Sequence, residues 1–236
     1  MKQLPMLKYI TSILLFLLSV NSFSQTKQTE EKKDTIIYKT GYGFRLGIDI
    51  SKPIKAIFDK SYGGFEAVGD YRISKNWYLA TELGHEQETT TEDYTNSKVK
   101  GNYIRLGANY NTYKNWLDMN NEIYVGFRYG FSVFNNTVNS YTTNTGNTYF
   151  PANKHTNPIT TSGLTAHWVE LQLGLKAEVF KNLFLGLSLA YKAGISIDNP
   201  ENFKTLYAPG FNRVYQNKAG FGFNYTISYL IPFVNK

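Results

Sequence analysis

Ionisable side chains recur at every second position in several apolar segments, and they are the residues of this chain best placed to do chemistry. Six are acids and six are bases. They are Arg45, Asp49, Glu66, Asp70, Arg72, Glu82, Arg105, Arg128, Glu170, Lys176, Glu178 and Lys192. Because side chains alternate across a β-strand, these charges share one face while large apolar residues occupy the other. A balanced set in a confined interior predicts a structural ion-pair network, and a proton or ion path is the alternative.

Catalytic and metal-binding patterns are sparse by comparison. The histidines at 85, 155 and 167 lack the paired spacing of zinc sites, and the acids of 85–93 lack the spacing and glycine of a calcium loop. His167 lies near the end of a predicted strand, where a lipid esterase built from His, Ser and an acid would operate, but sequence alone places no serine beside it. We therefore predict no enzyme activity, no metal site and no cofactor.

Eight segments have the alternation that positions these charges. They are 41–50, 65–73, 77–85, 103–111, 123–131, 168–179, 183–194 and 221–233, and no segment after the first 24 residues has a helical apolar period. Short connections carry a Lys-Asn step, because Asn tolerates the left-handed backbone of a tight turn. These steps are Lys75-Asn76, Lys114-Asn115 and Lys181-Asn182, and longer polar connections are predicted at 51–61, 86–100, 134–163 and 195–218.

The distribution of glycine decides which face is outside. Glycines gather on the charged face, with Gly69 as the exception, and the interior of an eight-stranded barrel has room for few side chains. The sequence therefore predicts an all-β fold with the apolar face outward. We expect an eight-stranded antiparallel up-and-down transmembrane β-barrel, with short periplasmic turns and long extracellular loops.

The first residues indicate export. Residues 1–24 have the positive start, apolar run and small-residue exit of a signal peptide, with cleavage predicted between Ser24 and Gln25. Residues 25–39 are predicted to form a disordered periplasmic tail, and 40–236 the barrel. The formal charge of +7 is scattered rather than clustered, which argues against a nucleic-acid partner.

Four stretches carry a resemblance to a known family: "VGDYRIS" (68–74), "NNEIYVGFRYGFS" (120–132), "SGLTAHW" (162–168) and "PGFNRVY" (209–215). Over nearly all of 40–233 the chain resembles an uncharacterised domain family of Gram-negative outer-membrane β-barrels, which is architecturally similar to the small OmpX/OmpA-type barrels. The resemblance implies an outer-membrane location, with membrane lipid and the outer-membrane assembly machinery as partners. That family has no assigned activity, so the resemblance implies none for this chain.

Any surface function is expected in the long loops. Within 197–218, aromatic and basic residues predict a contact surface for an unknown partner, formed by Tyr207, Phe211, Arg213 and Tyr215. The alternative is a self-packed lid over the barrel mouth. The function we predict is a non-enzymatic barrel with a plugged polar lumen, serving envelope structure or surface interaction. A lipid-modifying enzyme or a small permeation pathway is the alternative.

Overall fold

In the computed structural model of the chain, the described residues are 41–113, 120–146 and 149–235. The predicted signal peptide at 1–24, with its cleavage site between Ser24 and Gln25, and the predicted tail at 25–39 lie outside them. The Lys114-Asn115 step lies outside them as well.

Eight long strands of the described part of the chain close into a ring. The elements are β1 Gly41–Asp49, α1 Ser51–Phe58, β2 Tyr62–Arg72, β3 Trp77–Glu92, β4 Thr95–Asn111, β5 Glu122–Thr143, β6 Asn153–His155, β7 Ile159–Phe180, β8 Leu183–Ile197, β9 Tyr207–Ala208, β10 Asn212–Arg213 and β11 Ala219–Asn235. The ring order is β1–β2–β3–β4–β5–β7–β8–β11, every neighbour is antiparallel, and β11 pairs back with β1. This closed up-and-down barrel confirms the predicted fold class.

The connections define two ends of the barrel. At one end, which we call the turn end, β2 is joined to β3 by 73–76 and β7 to β8 by 181–182. Asn182 has a φ of 65°, which confirms the reasoning about Asn in tight turns at this position. Asn76 does not have a positive φ; its carbonyl instead accepts a hydrogen bond from the Asn111 N–H (2.8 Å), so the same reasoning was wrong there. The other end is the loop end.

Four strands continue beyond the barrel at the loop end. The predicted loop at 86–100 is wrong, because β3 and β4 keep their pairing from Gln87 and Lys100 out to Glu92 and Thr95. Threonine favours extended backbone, and β5 supplies a further pairing partner for β4, which explains why a polar segment forms strand here. We call residues 86–92, 95–102, 132–143 and 159–166 the raised sheet.

The connection between β1 and β2 contains helix α1, which the sequence analysis missed. The Asp49 carboxylate accepts the Ser51 N–H (2.8 Å) where the helix begins, and Pro53 lies in the first turn, where no N–H is needed. Lys52 points into the loop end and is buried, whereas Ile57 and Phe58 are exposed. The helix is therefore amphipathic over only two turns, too short to give a clear helical period.

The outer surface of the barrel is a continuous belt of exposed apolar side chains. Examples are Phe44, Leu46, Ile48, Phe65, Leu79, Leu83, Leu106, Val125, Phe127, Leu171, Leu173, Leu175, Leu187, Leu189, Phe223 and Ile231. Aromatic pairs edge the belt, with Trp77 and Tyr110 at the turn end (5.1 Å between ring centroids) and Tyr191 and Phe221 at the loop end (5.3 Å). An apolar exterior flanked by aromatic residues is the arrangement of a transmembrane barrel. No helix in the described ranges is long and apolar enough to cross a membrane.

Glycines make room for large side chains inside the barrel. A Cβ at Gly84 would lie 2.2 Å from the ring of Tyr103, and one at Gly130 would lie 2.1 Å from Trp168. Gly69 faces outward, and a Cβ there would meet its nearest neighbour at an ordinary 3.4 Å. The inward glycines are therefore required by packing, as the sequence analysis expected for a narrow interior.

Candidate functional site

The interior nearer the turn end holds an ion-pair cluster centred on Arg45. The Arg45 Nη2 donates to Asp70 (2.7 Å) and to Glu122 (2.5 Å), and its Nε donates to Asp70 (2.9 Å). Lys176 also pairs with Asp70, and the guanidinium lies 4.7 Å from the ring centroid of Phe184. Because these side chains come from β1, β2, β5, β7 and β8, the cluster crosses the interior from wall to wall.

A second cluster, centred on Arg105, fills the middle of the barrel. Its Nη2 lies 2.5 Å from Glu66, its Nε 2.7 Å from Glu82 and its Nη1 3.3 Å from Glu170. Arg128 reaches Glu82 from the other side (3.2 Å). Arg105 is only 1% exposed and Glu66 is fully buried. One buried guanidinium therefore serves three carboxylates.

Lys192 links this cluster to the loop end. Its Nζ lies 3.6 Å from Glu170 and donates to the carbonyl of Gly210 (2.5 Å). The indole N–H of Trp168 donates to the same glutamate (2.7 Å). The charges of the interior are thus bonded directly to the connection between β8 and β11.

All twelve charges predicted for the lumen lie on the inward side of the barrel or at its rim. Nine take part in ion pairs among the described residues: Arg45, Glu66, Asp70, Glu82, Arg105, Arg128, Glu170, Lys176 and Lys192. The other three bind backbone groups. Asp49 accepts N–H groups of β11 and α1, Arg72 donates to two carbonyls of the β2–β3 turn, and Glu178 accepts two N–H groups at the turn end.

Three charged members of the interior, Glu122, Glu86 and Lys52, were not predicted from the sequence. Glu122 shares the phase of Arg128, and Glu86 shares that of Glu82, so extending the alternation by a few residues would have found both. Lys52 lies on a short helix, and no strand pattern signals it. Glu122 and Glu86 were not assigned to the interior because each lies one residue outside a predicted strand.

The connection 198–218, which we call the lid, folds back into the loop end of the barrel. Phe211 is fully buried, with its ring 6.0 Å from that of Trp168. Gly210 has a φ of +78°, and a Cβ there would lie 2.6 Å from the ring of Tyr103. Only glycine combines this backbone conformation with so close an approach. The lid is therefore packed into the barrel rather than lying over it.

A buried carboxylate ties the lid down. Glu86 accepts hydrogen bonds from Lys52 Nζ (2.6 Å), the Tyr62 hydroxyl (3.0 Å), the Tyr207 hydroxyl (2.7 Å) and the N–H of Gly210 (2.8 Å). We call these five residues the latch. It joins β3 and α1 to the lid through one fully buried carboxylate.

The latch lies beyond the apolar belt, since the last large apolar side chain facing outward on β3 is Leu83. Burial alone would raise the pKa of Glu86, but the charge of Lys52 and the bonds from the lid outweigh it and lower this pKa. Burial would lower the pKa of Lys52, but the charge of Glu86 raises it above its ordinary value. Both groups are therefore charged throughout the neutral pH range.

The predicted contact surface divides into two halves. Tyr207 and Phe211 are buried in the core of the loop end, so the prediction that they present a surface is wrong for these two. Their apolar rings gain more from packing against the barrel than from solvent. Arg213 and Tyr215 are exposed, and Arg213 pairs with Glu92 on the raised sheet (2.5 Å).

His167 lies on the outer surface at the loop-end edge of the belt. Its Nδ1 is bonded to the Tyr129 hydroxyl (2.7 Å), and its ring lies 4.8 Å from that of Phe131. The strand register places Ser196 directly opposite on β8. The contacts of the described residues include no hydrogen bond between the Ser196 and His167 side chains.

Little space remains between the two ion-pair clusters. A cavity of about 30 Å³ lies beside Asp70, Arg128 and Lys176, room for about one water molecule. Within the described ranges, no three His, Asp or Glu side chains converge as metal ligands would.

Comparisons with known proteins give a family but no activity. The profile of a domain of unknown function (DUF6048) matches residues 6–236, which confirms the resemblance to an uncharacterised family. No curated protein matches the chain. Among solved structures, the chain is similar to Ail, the attachment invasion locus protein of Yersinia pestis, with 10% identity, a TM-score of 0.40, and coverage of 81% of this chain and 95% of that one.

Proposed function

We propose that this chain, which belongs to the family of the domain of unknown function DUF6048, is a closed, non-enzymatic barrel of the outer membrane. The apolar belt, the charged interior and the signal peptide predicted at 1–24 support this location. An even number of strands puts both barrel termini at the turn end, which faces the periplasm. The loop end then faces the outside of the cell.

The barrel is closed to solutes. The observation that carries this proposal is the latch, which holds the lid into the loop end directly above the Arg105 cluster. Below the latch, charged side chains span the interior, and the cavity between the two ion-pair clusters has room for about one water molecule. A barrel of eight strands has just enough interior to be filled by its own side chains.

The surface role belongs to the raised sheet more than to the lid. Two of the four lid residues predicted to contact a partner are buried, whereas the outward face of the raised sheet is exposed above the belt. We propose that it serves envelope structure or surface interaction, with outer-membrane lipid as its first partner. The apolar alternation of β11 through Phe233 is the segment that the assembly machinery would recognise.

Conductance across planar lipid bilayers tests closure. The wild-type barrel is expected to give no steady current, because the lid and the ion pairs exclude ions. The Glu86→Gln variant is expected to show brief conducting openings, because the substitution leaves Lys52 buried beside a neutral amide. Steady open-channel currents in the wild type would refute a closed barrel. Recovery of the protein from the soluble periplasm would refute the location.

A second candidate function is hydrolysis of a lipid ester at the outer edge of the belt. The observation that favours it is the register that sets Ser196 opposite His167, whose other side is held by Tyr129. The serine would attack the ester carbonyl while the histidine accepts its proton and passes it to the departing alcohol, and water would then hydrolyse the acyl-serine to release the fatty acid. Fatty-acid release that disappears in both Ser196→Ala and His167→Ala would establish this function. Equal release by wild type and variants would exclude it.

A further inference from the structure

Lys98 and Lys100 lie at the centre of a polar face on the raised sheet that the latch and the ion-pair clusters do not use. Both are exposed and point outward from β4, because the residues between and beside them, Val99 and Gly101, are buried. Neither lysine joins any ion pair formed between described residues. Two adjacent outward positions of one strand thus carry uncompensated positive charge.

The neighbours of the two lysines are uncharged hydrogen-bonding groups. Lys100 lies between Gln87 on β3 and Asn135 on β5, and Lys98 lies between two threonines, at 89 and 137. In the row nearer the belt, the His85 ring is bonded to Asn102 (2.7 Å). Amides and hydroxyls on three adjacent strands form a surface that can donate to and accept from sugar hydroxyls.

No acid interrupts this face. The outward positions of β3 from 85 to 91, of β4 from 96 to 102 and of β5 from 133 to 137 contain no Asp or Glu, and these ranges lie wholly within the described residues. The lid, by contrast, sets Arg213 against Glu92. The face around Lys98 and Lys100 is therefore suited to an anion.

Its height above the belt narrows the identity of that anion. Lys100 and Lys98 are two and four residues beyond Asn102, whose partner on β5, Val133, is an exposed apolar side chain at the edge of this face. At about 3.4 Å per residue and a tilt of roughly 40°, they lie about 5 and 10 Å above that row. The headgroup region of an ordinary phospholipid extends only about 5–8 Å. A headgroup that meets both lysines is therefore taller than that of an ordinary phospholipid.

We propose that this face binds the phosphorylated sugar headgroup of an outer-leaflet glycolipid, with the two lysines on phosphate and the amides and hydroxyls on sugar. The acyl chains of the lipid then lie against the apolar belt below. This inference rests on the proposed outer-membrane location with the loop end outside. It assigns the raised sheet a ligand of defined chemistry.

Lipid retention in nanodiscs tests the proposal. The refolded barrel is inserted into phosphatidylcholine discs that also contain phosphorylated lipid A, the same lipid A after phosphate removal, or phosphatidylglycerol. Lipid bound to the extracted protein is counted by native mass spectrometry. The test variant is Lys98→Gln/Lys100→Gln. The matched control, Lys154→Gln/Lys204→Gln, removes the same charge from exposed lysines of β6 and the lid.

The wild type is expected to retain phosphorylated lipid A in preference to the other two lipids. The test variant should lose about 25-fold in affinity, from about fivefold for each lysine near a charged lipid surface, and the control should match the wild type. Equal retention by wild type and test variant overturns the inference but leaves the proposed function standing, because both proteins inserted. Failure of the wild type to enter any disc overturns the proposed function and the inference together.

Discussion

Replacing Arg105 by Met is the sharpest test of how the charged interior stabilises the barrel. The substitution keeps much of the apolar stem but removes the guanidinium that lies 2.5, 2.7 and 3.3 Å from Glu66, Glu82 and Glu170. Glu82 keeps Arg128 and Glu170 keeps Lys192. Only Glu66 loses every ion pair.

The expected loss of stability follows from that difference. Removing one partner of a buried ion pair typically costs about 3–5 kcal/mol, because the remaining charge is buried without compensation. Glu66 is fully buried, so we expect about 4 kcal/mol for Arg105→Met. Neutralising the orphaned carboxylate in Arg105→Met/Glu66→Gln should recover most of this loss, because replacing both charges of a buried pair is often nearly neutral.

Urea unfolding of the refolded barrel in lipid vesicles measures these free energies, with heat-dependent gel migration as a check on folding. The four proteins of the cycle are the wild type, Arg105→Met, Glu66→Gln and the double variant. If the double variant is as unstable as Arg105→Met, the loss comes from packing and not from an unpaired charge. A loss below about 1 kcal/mol in Arg105→Met would mean that the interior is hydrated enough to screen its charges.

Three further outcomes are expected. Glu86→Gln should loosen the lid by about 3 kcal/mol, seen as faster proteolysis within 198–218, because Lys52 stays buried without its partner; unchanged proteolysis would contradict the latch. In the wild type, protection of the lid from proteolysis should be constant from neutral pH down to 4.5, the ordinary pKa of glutamate, and should decrease below it. The reason is that the pKa of Glu86 is lowered in the folded barrel, so protonation of Glu86 favours the open form. Loss of protection already at pH 6 would point to another group. Gly84→Ala should cost about 1–3 kcal/mol in urea unfolding, because its methyl would overlap Tyr103, whereas Gly69→Ala should be neutral; equal effects would contradict the packing argument.

The barrel and its charged interior could be predicted because both follow from one pattern. An alternation with period two fixes two faces at once, and a slip of one residue would exchange them completely. The placement of Arg45 and Arg105 inside therefore required only that the apolar face be assigned to the exterior. Pairs between neighbouring strands, such as Arg105 with Glu82, follow from the strand register alone. The pairs that cross the ring, Arg45 with Glu122 and Asp70 with Lys176, were not predictable, because their strands are distant in sequence.

The loop end was predicted less well because its structure depends on contacts between segments that are distant in sequence and not on an apolar alternation. The segment 86–100 has no apolar alternation to reveal its strands, and its extended backbone depends on pairing with neighbouring strands and on contacts of Glu86 and Val99 with the interior. In the lid, Tyr207 and Phe211 are aromatic residues among polar ones, a pattern that a contact surface and a self-packed lid share. The choice depends on Glu86 and Gly210, whose roles appear only once β3 and the lid meet.

The pairing pattern of the interior charges has a consequence for how the barrel closes. Arg45 on β1 pairs with Glu122 on β5, and Asp70 on β2 pairs with Lys176 on β7, so each pair joins strands on opposite sides of the ring. Neither pair can form within a hairpin of adjacent strands. Before the ring closes, Arg45 and Asp70 can already pair across β1 and β2, and the register sets Glu122 opposite Lys176 on β5 and β7. Ring closure therefore adds the two cross-ring ion pairs to charges that are already paired locally, so the interior that fills the barrel also stabilises its closed form.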